Sequence, residues 1–227
     1  MLDLDQRDRH PEVMDDPSLN LEEHHRALRG LERINFWSRT GSIFWNSLPK
    51  QPLKILDIAC GAGNLAIELS QRAKKAGLAF EVHGLDSSPV AIDWAKRRAT
   101  QKNVAVNFSQ LNIFREEIPS GYDVIVTSLF LHHLEKTEAV FLLKQMVQAA
   151  NQMILVDDLE RSPLGFFLAW AGTRIFTRSR VVHIDSLLSV RAAFNLEEIS
   201  LLAREAGLDS FQLTRHWPAR FLLRWTR

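Results

Sequence analysis

Cysteine is almost absent from this sequence, since Cys60 is the only one. A single thiol excludes an intramolecular disulfide and a zinc site built on cysteines, and no metal site is predicted. Cys60 stands in a glycine-containing turn, so we interpret it as a small packing residue rather than as a nucleophile.

Long apolar runs are also missing. No run of about 18 apolar residues is present, so no segment is expected to span a bilayer. Residues 1–17 are acidic and mixed, unlike a signal peptide. Lys and Arg number 28 against 27 Asp and Glu, and this net charge of +1 gives no indication of bulk attraction to nucleic acid. We expect a cytoplasmic monomer or homodimer without a nucleic-acid partner or stable membrane insertion.

The length and composition are those of an ordinary soluble protein. The 227 residues can bury a full core, with 46% apolar and 24% charged residues. Pro49 and Pro52 interrupt a helical pattern and predict a boundary. We therefore expect a lead-in and a helical cap in residues 1–52, with a helix that begins at Ser18 or Asn20, and the main domain in residues 53–227.

Residues 53–63, with the sequence LKILDIACGAG, are the most informative stretch. Their apolar part predicts a buried parallel strand, Gly61-Ala62-Gly63 predicts a tight turn, and a helical pattern follows at once. Glycine lets a ligand approach the backbone where a Cβ would block it, and it also permits an unusual φ. We therefore expect a ligand to lie over this turn.

The glycines alone do not identify that ligand, because residues 61–66, GAGNLA, also fit the dinucleotide pattern G-x-G-x-x-G/A. Asp57 separates the alternatives, since a carboxylate near the helix N-terminus repels a pyrophosphate and suits an ammonium group. The pattern D-x-x-C-G-x-G after an apolar strand resembles the first motif of class I S-adenosylmethionine-dependent methyltransferases. In that family the acid and the glycines hold the amino-acid end of the cofactor.

Asp86 ends the second predicted strand, where two ribose hydroxyls would arrive and its two oxygens can accept from both. Capping of the next helix is the alternative role. Asn112 follows the third predicted strand, 104–111, at a point where the family often has an acid that accepts from the adenine amino group, and a plain turn asparagine is the alternative. The cofactor contacts that the resemblance implies are Asp57, Ala59, Gly61, Gly63, Asp86, Ser87, Asn112, Ile113 and Ser128.

Strands and helices alternate from residue 53 onward, with further strands predicted at 124–129 and 152–156. This alternation predicts an α/β fold, a Rossmann-like doubly wound sheet that is mostly parallel. The last two predicted strands, 208–217 and 220–226, form a C-terminal antiparallel hairpin. Residues 159–194 interrupt this alternation and predict a helical lid inserted after strand 5.

The predicted lid is apolar and aromatic at residues 163–170. The arginines that follow are Arg174, Arg178, Arg180 and Arg191. We expect the lid to shape the acceptor pocket, with Trp170, Asp185 and Arg191 as candidate substrate contacts, and an extra core-packing helix is the alternative. The order of apolar and then basic residues also permits shallow contact with a membrane surface.

Three histidines are candidate bases, because a phenol-like acceptor must lose a proton and an imidazole with a pKa near neutrality can take it. His132 and His133 follow the fourth predicted strand at the ligand-binding edge of the sheet. His183 stands two residues before Asp185, and in an extended segment both side chains project to the same face as an oriented couple. A structural role for all three histidines is the alternative.

We expect an S-adenosylmethionine-dependent methyltransferase that acts on a small aromatic or polyketide-like acceptor, at oxygen. The layout resembles the quinone-biosynthesis and natural-product methyltransferases. Carbon methylation of a prenylated quinone is one alternative. An NAD-binding oxidoreductase is another, although Asp57 and the lack of an obvious Tyr-Lys hydride-transfer pair around Tyr122, the single tyrosine, count against it. The last alternative is a non-enzymatic cofactor-binding regulator.

Overall fold

The computed structural model describes residues 4–15, 20, 22, 23, 26, 27, 30, 34 and 38–227. Between residues 38 and 227 the chain forms seven α-helices and seven β-strands. In chain order these are α1 Thr40–Ser47, β1 Leu53–Ile58, α2 Asn64–Ala76, β2 Phe80–Asp86, α3 Pro89–Gln101, β3 Asn107–Gln110, β4 Tyr122–Ser128, α4 Lys136–Ala149, β5 Ala150–Leu159, α5 Pro163–Phe176, α6 Arg180–Ala192, α7 Leu196–Glu205, β6 Phe211–His216 and β7 Arg220–Thr226. The helix predicted to begin at Ser18 or Asn20 lies mostly outside the described residues.

All seven strands belong to one sheet, in the order β3-β2-β1-β4-β5-β7-β6. The five strands β1 to β5 are parallel to their neighbours, whereas β7 is antiparallel to both β5 and β6. The predicted doubly wound sheet with a C-terminal antiparallel pair is therefore confirmed. The strand order reverses between β1 and β4, and in open α/β sheets a ligand binds at the carboxyl ends of the strands beside such a point.

Helices cover both faces of the sheet, as the side chains of β1 illustrate. Leu56 packs in a cluster with Leu142 of α4. Its neighbour Ile55 packs in a second cluster with Leu69 of α2. Successive side chains of a strand point to opposite faces, so the nearly continuous apolar run of β1 is the pattern of a strand buried on both sides.

The helical insertion predicted after the fifth strand is confirmed as the two helices α5 and α6. Ser162 caps α5 by accepting the backbone N–H of Gly165, and Pro163 occupies the first turn, where its missing N–H costs nothing. Ser179 caps α6 in the same way by accepting from Val182. Two serine caps thus define a helical pair between β5 and α7.

Several local predictions differ from the structure, among them the bounds of strands and the backbone around His183. The third strand is Asn107–Gln110 rather than 104–111, and the fifth is Ala150–Leu159 rather than 152–156, because β7 pairs along it as far as Leu159. His183 and Asp185 lie in the helix α6, which agrees with the predicted helical lid but not with the extended backbone that would place both side chains on one face. Val181 and Val182 have strand propensity, but the Ser179 cap and the burial of both valines in a cluster with Ala27, Val13 and Met14 favour the helix.

Candidate active site

Acidic and polar side chains gather at the carboxyl edge of the parallel strands. They are Asp57 in β1, Asp86 at the end of β2, Ser128 at the end of β4, and Asp157 and Asp158 near the end of β5. These four strands are neighbours in the sheet, so the residues share one edge. The glycine turn after β1 lies at the same edge, as the sequence predicts.

Asp57 is buried and incompletely paired. The backbone N–H of Ala66 donates to its carboxyl group, whereas Oδ2 has no hydrogen-bond partner among the described residues. Burial raises the pKa of Asp57 to about 8, and the negative charge of Asp86 adds to the shift. An unpaired buried oxygen costs free energy, and a cationic group of a ligand would remove that cost. The residue therefore fits an ammonium group.

The turn between β1 and α2 depends on its glycines. Gly61 and Gly63 have φ angles of 50° and 72°, and Ala59, just after β1, has a φ of 53°. A Cβ on Gly63 would lie 2.6 Å from the ring of Phe108, whereas nothing lies within 4 Å of the corresponding position on Gly61. Gly63 thus permits close packing beneath α2, and Gly61 leaves its backbone open to a ligand.

Asp86 connects the glycine turn to the next helix. Its Oδ2 accepts the N–H of Gly61 at 2.8 Å, and its Oδ1 accepts the N–H of Ser88 at 2.9 Å. The cap of α3 is Ser88, whose Oγ accepts the N–H of Ala91, so in the alternative role Asp86 supports the cap by holding Ser88. Each carboxylate oxygen has a second lone pair, so both can still accept from ribose hydroxyls. The intervening Ser87 accepts at its carbonyl from the side chain of Gln110 at 3.0 Å.

Asn112 and Ile113 follow β3. The side-chain oxygen of Asn112 accepts the N–H of Phe114 at 3.0 Å, which is the contact of a turn asparagine. That bond does not use the NH2 group, which remains a donor suited to a ring nitrogen. Ile113 is buried in the main core cluster. Contact of these two residues with adenine stays a prediction.

A buried imidazole–carboxylate couple joins His132, just after β4, to Asp158 of β5. The distance from His132 Nδ1 to Asp158 Oδ1 is 2.6 Å, and Asp158 Oδ2 accepts the backbone N–H groups of Phe130 and His132. Burial acts to lower the pKa of His132, but the charge and hydrogen bond of Asp158 and the charge of Glu12 raise it above its usual value. This arrangement is that of an oriented general base.

His133 has the opposite electrostatic environment. Burial lowers the pKa of His133 to about 3, and the positive charges of His132 and Arg9 act in the same direction, while Asp158 opposes them. Its ring centroid lies 4.2 Å from that of His132. With this pKa, His133 is neutral at physiological pH and is a weak base. The higher pKa of His132 therefore favours His132 for proton removal.

The predicted couple of His183 and Asp185 does not form. Residues two apart on a helix do not face each other. His183 Nε2 lies 2.9 Å from the carbonyl oxygen of Thr177 and donates to it, which ties α6 to the end of α5. The carboxylate of Asp185 accepts the N–H groups of Val13 and Met14 at 2.8 and 3.0 Å. In this structure His183 has a structural contact, and Asp185 anchors the N-terminal segment.

A cavity of about 80 Å³ opens beside the two adjacent histidines. Its lining residues are Arg9, His10, Pro11, Glu12, His132, His133 and Ala192. In the described part of the chain, Glu12, His132 and His133 offer ligand atoms within 4.8 Å of one another, a spacing that a metal ion could bridge. Glu12 Oε1 lies 3.8 Å from His132 Nε2, so two carboxylates flank one imidazole. Both carboxylates favour the protonated form of His132, so the arrangement is also suited to proton binding.

Residues 4–12, which we call the N-terminal strap, cross this edge of the sheet. Arg7 donates to the carbonyl oxygens of His132 and Leu134 at 2.9 and 2.6 Å, and also to that of Ala192. Arg9 donates to the carbonyl oxygen of His133 at 3.0 Å. The strap thus closes the cavity from outside. The sequence predicts only an extended or mobile lead-in here, because an arginine in a charged stretch does not reveal which distant carbonyls it will bind.

A buried ion pair, not foreseen from the sequence, lies beside the site. Arg220 donates to the carboxylate of Asp157, to Ser128 Oγ at 3.2 Å, to Ser38 Oγ at 3.1 Å and to Thr40 Oγ1 at 2.8 Å. This network fixes the start of α1 against the ends of β4 and β5. Ser128 Oγ is engaged in it, and a contact between Ser128 and a cofactor stays a prediction.

The predicted substrate contacts of the insertion occupy different environments. Trp170 lies half exposed on the outer side of α5, with its ring centroid 6.2 Å from that of Phe167. Arg191 lies near the end of α6, and its guanidinium carbon is 5.8 Å from the ring centroid of Phe166. The buried Nε of Arg191 has no hydrogen-bond partner among the described residues, so this donor could bind an acceptor oxygen.

Comparison with known proteins relates part of the chain to methyltransferases. Residues 55–152 match a family model described as a methyltransferase domain. The demethylmenaquinone methyltransferase of Deinococcus radiodurans is 25% identical over 158 residues, which cover 69% of this chain and 62% of that protein. The ubiquinone biosynthesis O-methyltransferase of Pseudomonas aeruginosa is 24% identical over 160 residues, which cover 69% of this chain and 64% of that protein. The matched region is thus less than two thirds of either relative.

Solved structures share the fold. The magnesium protoporphyrin IX methyltransferase of Synechocystis PCC 6803 with bound SAH has a TM-score of 0.60 at 16% identity, covering 95% of this chain and 91% of that one. The plantazolicin methyltransferase in complex with SAH has a TM-score of 0.66 at 21% identity, covering 93% and 90%. At these identities the likenesses show the fold alone, whereas the methyltransferase-domain match over residues 55–152 agrees with the resemblance that residues 53–63 indicate.

Proposed function

We propose that this chain, whose residues 55–152 form a methyltransferase domain, transfers a methyl group from S-adenosylmethionine to a small acceptor. The observation that carries the proposal is the placement of Asp57 and Asp86 on adjacent strands, on either side of an open glycine turn. The relatives and structural neighbours described above are methyltransferases, which supports the same activity here.

The described residues fit the cofactor in three places. Asp57 would bind the ammonium group, because its unpaired Oδ2 would then gain a charged partner. Asp86 would accept from the ribose hydroxyls with the lone pairs that Gly61 and Ser88 leave unused. The open backbone at Gly61 would allow the close approach that both contacts require. When bound, S-adenosylmethionine supplies an electrophilic methyl group on a sulfonium.

We assign proton removal from the acceptor to His132. Asp158 holds Nδ1, which favours the tautomer with Nε2 available as the proton acceptor. A hydroxyl whose proton moves to Nε2 becomes the nucleophile, and this supports oxygen as the methylated atom. Phenols and quinols are the acceptor class that benefits most from such a base, because their protons are acidic enough for a histidine to remove.

The strap would control entry of the acceptor. The cavity beside His132, about 80 Å³, is smaller than the roughly 300 Å³ of the smallest ordinary small-molecule sites. An aromatic ring can therefore reach Nε2 only when residues 9–12 move outward. Their return would exclude water from the reacting atoms, which methyl transfer to a weak nucleophile requires.

Carbon methylation of a prenylated quinone is the second candidate. Large apolar side chains are exposed on α5, and they would suit an acceptor with a lipid tail. The names of the quinone-biosynthesis relatives point to the same acceptor class. The position of the transferred methyl group in the product separates the two candidates.

Calorimetric titration of the purified chain with S-adenosylmethionine, S-adenosylhomocysteine and NAD tests the cofactor. We expect micromolar binding of the first two and none of NAD. A chain that binds NAD alone would be an oxidoreductase, and the proposal would fall. A screen of phenols and quinols with methyl-labelled cofactor, followed by NMR of the product, then identifies the methylated atom. Cofactor binding without turnover of any acceptor in the screen would favour a regulator.

A further inference from the structure

The outer side of α5 exposes an unusual number of large apolar side chains. Leu164, Phe167, Trp170 and Ile175 are 60%, 59%, 45% and 75% exposed, and all four belong to this one helix of 14 residues. Most side chains on a protein surface are polar, and exposed apolar side chains usually occur one at a time. A cluster of exposed apolar side chains therefore marks an interaction site.

These four residues lie on one side of the helix. At 100° per residue, positions 164, 167, 170 and 175 fall within one arc, and Arg174 lies in the same arc. Gly165 and Thr173, the buried residues of α5, face the protein on the other side. The side of α5 that faces the protein thus carries small residues, whereas the side that faces solvent carries large apolar residues. An ordinary surface helix has its large apolar residues on the inward side.

Positive charge adjoins this apolar surface. Arg174, Arg178 and Arg180 are exposed at the end of α5 and the start of α6. Neither Asp nor Glu occurs from residue 161 to residue 184. The guanidinium carbon of Arg174 lies 4.8 Å from the ring centroid of Trp170, so a positive charge directly adjoins the exposed aromatic residues. An apolar surface bordered by arginines is complementary to a bilayer that carries anionic headgroups.

Charge also argues against a second copy of the chain as the partner. In a symmetric dimer the same surface would face itself, and the arginines of both copies would approach one another without an acid in residues 161–184 to pair with them. The length of the helix excludes a spanning role, since 14 residues extend about 21 Å and a hydrocarbon core is about 30 Å thick. No helix among the described residues is long and apolar enough to cross a membrane.

We propose that α5 is a membrane-docking helix, which lies in the surface of an anionic bilayer with Leu164, Phe167, Trp170 and Ile175 inserted and the three arginines at the headgroups. The proposal is independent of methyl transfer, because it concerns binding to lipid only. It would bring the edge of the sheet close to acceptors dissolved in the bilayer.

Vesicle co-sedimentation tests the proposal on the full chain. We expect binding to vesicles of phosphatidylcholine with 30% phosphatidylglycerol, binding at least tenfold weaker to phosphatidylcholine alone, and a loss of affinity as salt is raised. The double variant Phe167→Ser/Ile175→Ser should bind the mixed vesicles at least tenfold more weakly, with an unchanged unfolding midpoint. The matched control is Leu201→Ser on α7, where Leu201 is 59% exposed, and it should bind like the parent chain.

A parent chain that does not bind the mixed vesicles would overturn the proposal. Equal binding by the double variant would overturn it as well, because the apolar surface would then play no part. Analytical ultracentrifugation distinguishes the remaining partner. A parent chain that dimerises without lipid, together with a double variant that remains monomeric, would assign the surface to a second copy and reject the membrane.

Discussion

His132 Nδ1 and Asp158 Oδ1 lie 2.6 Å apart in a buried couple. The two residues are 26 positions apart in the sequence, and their contact depends on the parallel pairing of β4 with β5, in which Ser128 lies opposite Asp157. Both strands end at the same edge of the sheet. The short 3-10 helix Leu131–His133 follows β4 and places the imidazole of His132 beside the carboxylate of Asp158. The couple is thus a consequence of the topology.

Substitution of this couple should affect turnover rather than cofactor binding. We expect His132→Gln to lower kcat by about 10²–10⁴-fold, the usual contribution of a general base. The neutral imidazole is the active form, so kcat should rise with pH through the pKa of His132. Asp158 raises that pKa, and in Asp158→Asn burial would dominate and shift the rise to lower pH. Profiles of kcat against pH at saturating cofactor measure both effects.

His183→Gln is the matched control for this prediction, because His183 Nε2 binds the carbonyl oxygen of Thr177 and has no carboxylate partner among the described residues. Its kcat should equal that of the parent chain. Dialysis against EDTA should also leave turnover unchanged. Inactivation by EDTA would instead indicate that Glu12, His132 and His133 bind a metal.

Asp57 should make the stability of the cofactor-free protein depend on pH. Its folded pKa of about 8 lies above the ordinary value of an aspartate, so the folded state holds a proton that the unfolded state releases. The resulting stability is complete below pH 4 and is lost as pH rises to 8, at no more than about 1.4 kcal/mol per pH unit. Urea unfolding at several pH values measures this slope, and Asp57→Asn should reduce it.

The cofactor should change this behaviour, because the ammonium group would stabilise the charged form of Asp57. Binding of S-adenosylmethionine to the parent chain should therefore release a proton at pH 7, which calorimetry in buffers of different ionisation enthalpy detects. Asp57→Asn should bind more weakly and release none through this residue. Equal proton release by both proteins would contradict the assignment of the ammonium site.

Asp86→Ala should weaken cofactor binding by about 2 kcal/mol, or roughly 30-fold, because it removes both acceptors proposed for the ribose. It also removes the bond to the N–H of Gly61, so circular dichroism must first show that the variant is folded. Asp93→Ala, an exposed acid on α3, is the control and should bind normally. Unchanged affinity of a folded Asp86→Ala protein would remove Asp86 from the site.

The sequence locates the edge of the sheet at which we propose the cofactor, because its signals there are local. Asp57, Gly61 and Gly63 stand within seven residues of one another, and a strand, a turn and a helix follow in order, so the carboxyl end of β1 can be located without tertiary information. The same holds for Asp86, which is followed within three residues by the cap Ser88 and by Pro89 at the start of α3. The alternation of such units also predicts the doubly wound sheet.

The couple of His132 and Asp158, to which we assign proton transfer, could not be predicted in this way. Because Asp185 is only two residues from His183, the sequence suggests that the two side chains pair. In the helix α6, however, these side chains point in different directions. The actual partner of His132 is Asp158, on another strand, and one sequence contains no signal that pairs these two residues. Arg220 presents the same difficulty, because its partner Asp157 becomes a neighbour only through the antiparallel pairing of β5 with β7.

Arg220→Met should destabilise the fold strongly. Arg220 and Asp157 are both buried, and removal of Arg220 leaves the Asp157 carboxylate with only His216 and Ser128 as side-chain partners among the described residues. Loss of one partner of a buried ion pair costs up to about 3–5 kcal/mol. Asp157→Asn/Arg220→Met should recover part of the loss, as measured by urea unfolding. Arg26→Met, which breaks the exposed ion pair with Glu22, should leave the unfolding midpoint nearly unchanged. Similar losses from the two single variants would contradict the structural role of Arg220.

Arg7→Gln should loosen the N-terminal strap. Arg7 binds the carbonyl oxygens of His132, Leu134 and Ala192, and a glutamine cannot reach all three. We expect faster hydrogen exchange in residues 4–12 and an increase in the KM of the acceptor of about tenfold, equivalent to about 1.4 kcal/mol, because the closed form that holds the acceptor is lost.

Cofactor affinity should not change, since the strap does not contact Asp57 or Asp86 in this structure. Arg9→Gln, which removes mainly the exposed ion pair with Glu135, is the control and should have a smaller effect. Faster exchange with an unchanged KM would show that the strap stabilises the fold without gating the acceptor.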